Sequence, residues 1–139
     1  MHKSLFLLLT FCVTFSIAHA GESISIEPGM WEVTTTMTSP MSNQPQVETS
    51  QECMEDSEIT ADVLTPNDDD SCTTSDVNAN GGTLTWTMQC SMQGNVMNGG
   101  GSFTSNGDTG HGNMNMNMQV EGQSFNMELS WKGKRIGSC

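Results

Sequence analysis

The chain has 139 residues, of which 16 are Asp or Glu and only 4 are Lys or Arg, giving a formal net charge of -12. That length allows at most one compact domain, which excludes a multi-domain enzyme. So acidic a chain offers no basic surface to neutralise phosphates, which disfavours nucleic acid and anionic membranes as partners.

Residues Met1–Ala20 read as an export signal. A positive start at Lys3 precedes an apolar run from Leu5 to Val13, and Ala18-His19-Ala20 supplies the small residues that signal peptidase needs. Cleavage before Gly21 leaves residues 21–139 as a single exported domain, periplasmic or secreted. Cys12 lies inside the apolar run behind Phe11, where lipoprotein processing needs a small residue, so no lipid anchor is expected. No later stretch approaches the roughly 20 apolar residues of a membrane-spanning helix.

From Met30 to Thr38, Trp31, Val33, Thr35 and Met37 alternate with Glu32, Thr34 and Thr36, which predicts a strand with one buried face. Ser39–Gln46 is a polar connection with two prolines, and Val47–Cys53 returns as a second strand. Glu55–Leu64 is the one plausible helix, with Asp56 or Ser57 as N-cap, Ile59 and Val63 four apart, and Pro66 beyond its end. Asn67–Ser71 is an acidic loop. Its Asn67-Asp68-Asp69-Asp70 run lacks the D-x-D-x-D-G pattern and downstream Glu of a calcium loop.

Beyond Cys72 the chain predicts a meander of five strands whose register is set by turns and alternation together. A loop centred on Gly81 pairs Cys72 with Cys90 and puts Leu84, Trp86, Met88 and Cys90 on one face. A Gln93-Gly94 turn sets Met97 opposite Cys90, Phe103 opposite Leu84, and Gly99 and Gly101 beside Met88 and Trp86. An Asn106-Gly107 turn pairs Met97 with Met116. A Glu121-Gly122 turn pairs Met118 with Phe125, Met116 with Met127, and Met114 with Leu129. Trp86, Met88, Met97, Phe103, Met114, Met116, Met118, Phe125, Met127, Leu129 and Trp131 then share one side, while Thr, Ser, Asn, Gln and Glu fill the other. The expected fold is mainly β: a curved antiparallel sheet or small barrel of about seven strands, one solvated face, and one short helix between the second and third strands.

Beyond the leader the cysteines are Cys53, Cys72, Cys90 and Cys139, an even set that reads as two disulfides in an exported chain. Three connectivities are possible. The register favours Cys72–Cys90, which leaves Cys53–Cys139 to tie the tail to the body. That tail holds Lys132, Lys134 and Arg135, every base apart from Lys3. The core has Trp31, Trp86, Trp131, Phe103 and Phe125 as its aromatics, and methionine fills the remaining space.

The chain resembles a family of small exported proteins of Gram-negative bacteria catalogued as domain of unknown function 3617. The resemblance rests on Pro28-Gly29-Met30-Trp31-Glu32-Val33-Thr34, on Cys53 and Cys72, on Gly82-Thr83-Leu84-Thr85-Trp86 with Cys90, and on the ending Gly133-Lys134-Arg135-Ile136-Gly137-Ser138-Cys139. The order and spacing of these motifs span nearly all of the chain beyond the leader. The resemblance implies export and a compact β fold with paired cysteines, and carries no catalytic or ligand residues.

Met114, Met116 and Met118 put alternate thioethers on one side of a strand, a pattern suited to Cu(I), with His111 nearby and Met88, Met92, Met97 and Met127 as further sulfurs. Adaptable core packing is the commoner use of such methionines. His111 is the one histidine beyond the leader, and no nucleophile elbow accompanies it. Gly99-Gly100-Gly101 lacks the strand-to-helix context and Lys of a phosphate loop. The expected function is therefore a non-catalytic, cofactor-free binding or envelope-accessory protein. Its partner is an envelope protein or a small apolar ligand contacting Trp86, Met97, Met116 and Met127. The alternative is a periplasmic Cu(I)-binding protein using Met114, Met116, Met118 and His111.

Overall fold

A computed structural model describes residues 22–65 and 71–139. The predicted leader, Gly21, Pro66, Asn67 and the acidic residues Asp68–Asp70 lie outside the described residues, as does the side chain of Met92. Among the described residues nine strands and one helical turn follow in order: β1 (Ser23–Ser25), β2 (Gly29–Thr38), β3 (Gln46–Met54), β4 (Glu58–Thr60), α1 (Ala61–Leu64), β5 (Cys72–Asn80), β6 (Thr83–Met92), β7 (Asn95–Ser105), β8 (Thr109–Val120) and β9 (Gln123–Gly137). Seven of them form one antiparallel sheet in the order β3-β2-β9-β8-β7-β6-β5, while β1 and β4 pair separately. The meander and the one-sided face are as the alternation predicts. The barrel alternative is not realised, because β3 and β5 are opposite edges of an open sheet.

Hairpin chemistry sets the register. Gly81 and Gly82, Gln93 and Gly94, and Glu121 and Gly122 all have positive φ, as two-residue turns that follow the right-handed strand twist require. The third long hairpin differs from expectation. Asn106 N–H donates to Thr109 O at 2.9 Å, so the central residues are Gly107 and Asp108. Gly107, with φ at 89°, holds the first central position, which glycine fills without steric penalty. The register moves by two residues, so Met97 faces Met118 and Gly99 faces Met116. Because side chains alternate with period two, this shift leaves each of them on the face that the sequence predicts.

A bulge rescues the cysteine pair in the same way. The Gly81-Gly82 turn pairs Ala79 with Leu84, a register that carried on unbroken would set Cys72 against Ser91. An extra residue at Asp76-Val77, with Asp76 at φ 50°, moves β5 by one, and Cys72 meets Cys90. The two are disulfide-bonded, as are Cys53 and Cys139. A second bulge, at Ile136, changes which face the end of β9 presents: Arg135 pairs with Trp31, but Gly137 pairs with Met30, the partner of Cys53. The tail thereby reaches the outer face where Cys53 stands.

The inner face carries the core: Trp31, Leu84, Trp86, Met88, Cys90, Met97, Phe103 and Met114 are buried. Glycines make room for the rings. A Cβ on Gly101 would collide with the Trp86 indole, one on Gly110 would lie 2.6 Å from Phe103 Cζ, and one on Gly112 would lie 2.9 Å from Phe103 Cδ2. The outer face is knitted by polar pairs directly across the strands: Thr34 with Thr49, Ser75 with Thr87, Thr83 with Thr104, Gln89 with Asn98 and Asn117 with Asn126. Lys134 bonds Glu32 there at 3.1 Å with most of its side chain in water. Lys134→Met is therefore expected to change the unfolding free energy by no more than about 1 kcal/mol, measured by urea denaturation.

One segment departs from the helix expected over Glu55–Leu64. Only Ala61–Leu64 is helical, its N-cap is Thr60 rather than Asp56 or Ser57, and no side chain caps it. Glu58–Thr60 is extended because Ser23-Ile24-Ser25 gives it a strand to pair with, setting Ile24 against Ile59. Both isoleucines are buried, together with Ile26 and Ala61. Packing of β-branched side chains outweighs a marginal helix that buries few groups.

An apolar cavity under the crossover

Since β3 and β5 are opposite edges, the chain between them must travel the width of the sheet. Its described part, up to Thr65, lies over the inner face, where Ile59, Ala61 and Leu64 meet apolar partners. The amino-terminal lead is fastened to this layer. Ile26 N–H donates to Ser57 O at 2.9 Å, Glu27 N–H to Gly107 O at 3.1 Å, and Trp31 Nε1–H to Glu27 O at 2.9 Å. Arg135 Nε donates to Pro28 O at 2.7 Å, which closes the same corner from β9.

Layer and sheet do not meet everywhere. Between them lies a cavity of about 210 Å³ whose floor is Trp31, Val33, Phe103 and Trp131 and whose cover includes Ile59, Val63 and Leu64. Thr35 and Glu52 bring the polar groups, along the side formed by β2 and edge strand β3. Glu52 faces inward because it pairs with Trp31, and an inward-pointing charge also blunts a sheet edge against pairing with another chain. Val63 is 62% exposed at the cavity's margin. The arrangement supplies aromatic and aliphatic contact with a carboxylate at one side, which is the chemistry of holding a small molecule.

The residues singled out in the sequence are distributed differently. Trp86 and Met97 are core, at 2% and 7% exposure, and Met116 and Met127 are half-buried. None of the four lines the cavity under the crossover. Trp86 also differs from Trp31 in that its Nε1 has no hydrogen-bond partner among the described residues. Met114 is fully buried, while Met116 and Met118 are partly covered on the same face. His111 stands on the opposite face, exposed and paired with Thr104 and Lys132, so the sheet itself separates it from the three methionines. Among the described residues no group of three or more His, Cys, Asp or Glu side chains could hold a metal ion. No helix there is long and apolar enough to cross a membrane.

The cavity residues that sequence reasoning passed over had a signal of their own. Ile26 follows Ser23-Ile24-Ser25 in an alternation of serine and isoleucine, and Ile59, Val63 and Leu64 are apolar in a largely acidic connection. Such residues need a surface to bury against, and the inner face is that surface.

Fold and site together define an open antiparallel sheet stapled by two disulfides and crossed on its apolar face by its own edge-to-edge connection. The chain belongs to the family described as protein of unknown function (DUF3617), whose sequence model matches residues 26–139. No curated protein and no solved structure matches it.

Proposed function

We propose that this protein is an exported, non-catalytic binding module of the cell envelope that takes a small apolar molecule into the cavity under the crossover. The observation that carries the reading is the lining itself: Trp31, Trp131 and Phe103 from three strands surround one space beneath Ile59 and Leu64. Export is supported by the pattern of Met1–Ala20 and by the two disulfides, which persist in oxidising compartments. At about 210 Å³ the space is smaller than the roughly 300 Å³ at which sites for drug-sized ligands begin, so it suits a single small ring or a short branched chain.

Saturation-transfer NMR with toluene tests this. Saturable binding to the wild-type protein is expected, with a loss of about tenfold or more in affinity for Val63→Trp, whose indole would occupy the cavity margin from an exposed position. Absence of saturable binding to the wild type would refute the reading, as would unaltered affinity in the variant.

A further inference from the structure

A second apolar space lies at the other end of the strands, between the β2–β3 connection and the β8–β9 turn. It measures about 190 Å³ and is lined by Ser39, Met41, Met118, Val120, Phe125 and Met127. Three of these residues carry thioether sulfurs, and none carries a charge. Register explains two of them. Met118 pairs with Phe125 and Met116 with Met127, so Met118 and Met127 are diagonal neighbours on the inner face. Their backbones are then roughly 7 to 8 Å apart, a separation that two flexible methionine side chains can close. Met41 arrives from the polar connection Ser39-Pro40-Met41-Ser42 and is 80% exposed.

Packing accounts for Met88, Met97 and Met114, which are buried. It does not account for Met41. At 80% exposure Met41 fills no core, yet it lines the same space as two further thioethers, where a flexible side chain can close over a bound ion. Neutral sulfur donors select soft monovalent cations over hard ones, and a chain with net charge -12 draws cations toward it. All four cysteines beyond the leader are in disulfides, so no thiolate among them competes with the thioethers.

We propose that Met41, Met118 and Met127 form a three-thioether site for a soft monovalent cation, Cu(I) or Ag(I). This site differs from three methionines along one strand with His111. Met114 is closed off in the core and His111 is across the sheet, whereas Met118 is shared with the neighbouring strand and the hairpin connection. It is independent of the cavity under the crossover, and either can fail without the other.

The test is titration of the disulfide-bonded protein with Ag(I), and with Cu(I) against a chromophoric Cu(I) chelator without oxygen, read by native mass spectrometry and by NMR of methionine methyl groups. One ion per chain is expected, moving the methyl signals of Met41, Met118 and Met127 and leaving those of Met88, Met97 and Met114 in place. Removing even supporting groups around a bound metal costs roughly 10- to 100-fold in affinity, so the triple change to Leu should cost at least that. Met41→Leu alone, at an exposed position that cannot upset the fold, should still weaken binding by about tenfold. Met114→Leu, a volume-conserving change, should leave it intact. Unchanged affinity in Met41→Leu, methyl shifts centred on Met114, or equal uptake of Zn²⁺ would each overturn the proposal.

Discussion

Replacing Cys53 and Cys139 together by Ser is expected to lower the free energy of unfolding by about 4 to 5 kcal/mol, the loop-closure value for a bridge across a chain separation of 86. The Cys72–Cys90 bridge spans only 18 residues and is worth about 3 kcal/mol on the same scale. Geometry reinforces the difference. Strand β3 is an edge held by β2 alone, and β9 brings the tail to it across β2, so this bridge joins the two ends of the sheet's first three strands. Cys53 and Cys139 are both exposed, so their replacement opens no cavity and reports the cross-link itself. Cys90, at 1% exposure, cannot be changed so cleanly. Urea denaturation followed by circular dichroism, with wild type alongside, measures the loss. A change below about 1 kcal/mol would mean that the unfolded chain is already compact enough for the bridge to matter little.

The Cys72–Cys90 bridge was legible in the sequence because its hairpin is local, and Cys53–Cys139, across a separation of 86, followed only as the remaining pair. Gly81-Gly82, Gln93-Gly94 and Glu121-Gly122 each fix a hairpin within a few residues, and the pairings Cys90 with Met97 and Met116 with Met127 follow. Two turns are displaced from expectation: β5–β6 turns at Gly81-Gly82 rather than about Gly81, which the bulge at Asp76-Val77 offsets, and β7–β8 turns at Gly107-Asp108 instead of Asn106-Gly107, which alters neighbours without altering faces. The short layer over the sheet was not legible. Ile59 reads equally well as part of a helix with Val63 or as a strand residue, and only the presence of Ile24 opposite it decides. That partner is 35 positions away in sequence, beyond the reach of any turn rule.

The candidate site shares that difficulty. Its floor forms because β2 lies against β9, a pairing of the beginning and end of the chain that brings Trp31 beside Arg135 and Gly133 beside Val33. Alternation shows that Trp31 and Trp131 face inward, but not that they stand near each other or that the crossover leaves a space above them. The methionines mislead for the opposite reason. Their spacing is conspicuous along β8, yet Met114 is there to fill the core, and the thioethers that share an open space come from three separate segments.

A sensitive point of the inner face is where Trp86 crosses Gly101. Gly101→Ala is expected to cost about 3 kcal/mol, at the upper end for overpacking, because the added Cβ falls within 2.7 Å of indole Cε2 and 2.8 Å of Cη2. Neither partner has an easy escape. Trp86 is 2% exposed between Leu84 and Met88 along its own strand, while Gly101 is held by ladder pairing to Trp86 on one side and Met114 on the other. The backbone at Gly101 has no positive φ, so Ala meets no conformational strain and the whole penalty is steric. A double-mutant cycle isolates it. In a Trp86→Leu background, destabilised in its own right by the smaller side chain, adding Gly101→Ala should cost less than about 1 kcal/mol, because the obstructing ring is gone. Urea midpoints of the four proteins give the coupling energy. A cost of Gly101→Ala that is the same in both backgrounds would place the indole away from Gly101, and with it the pairing of small and large residues that shapes this face.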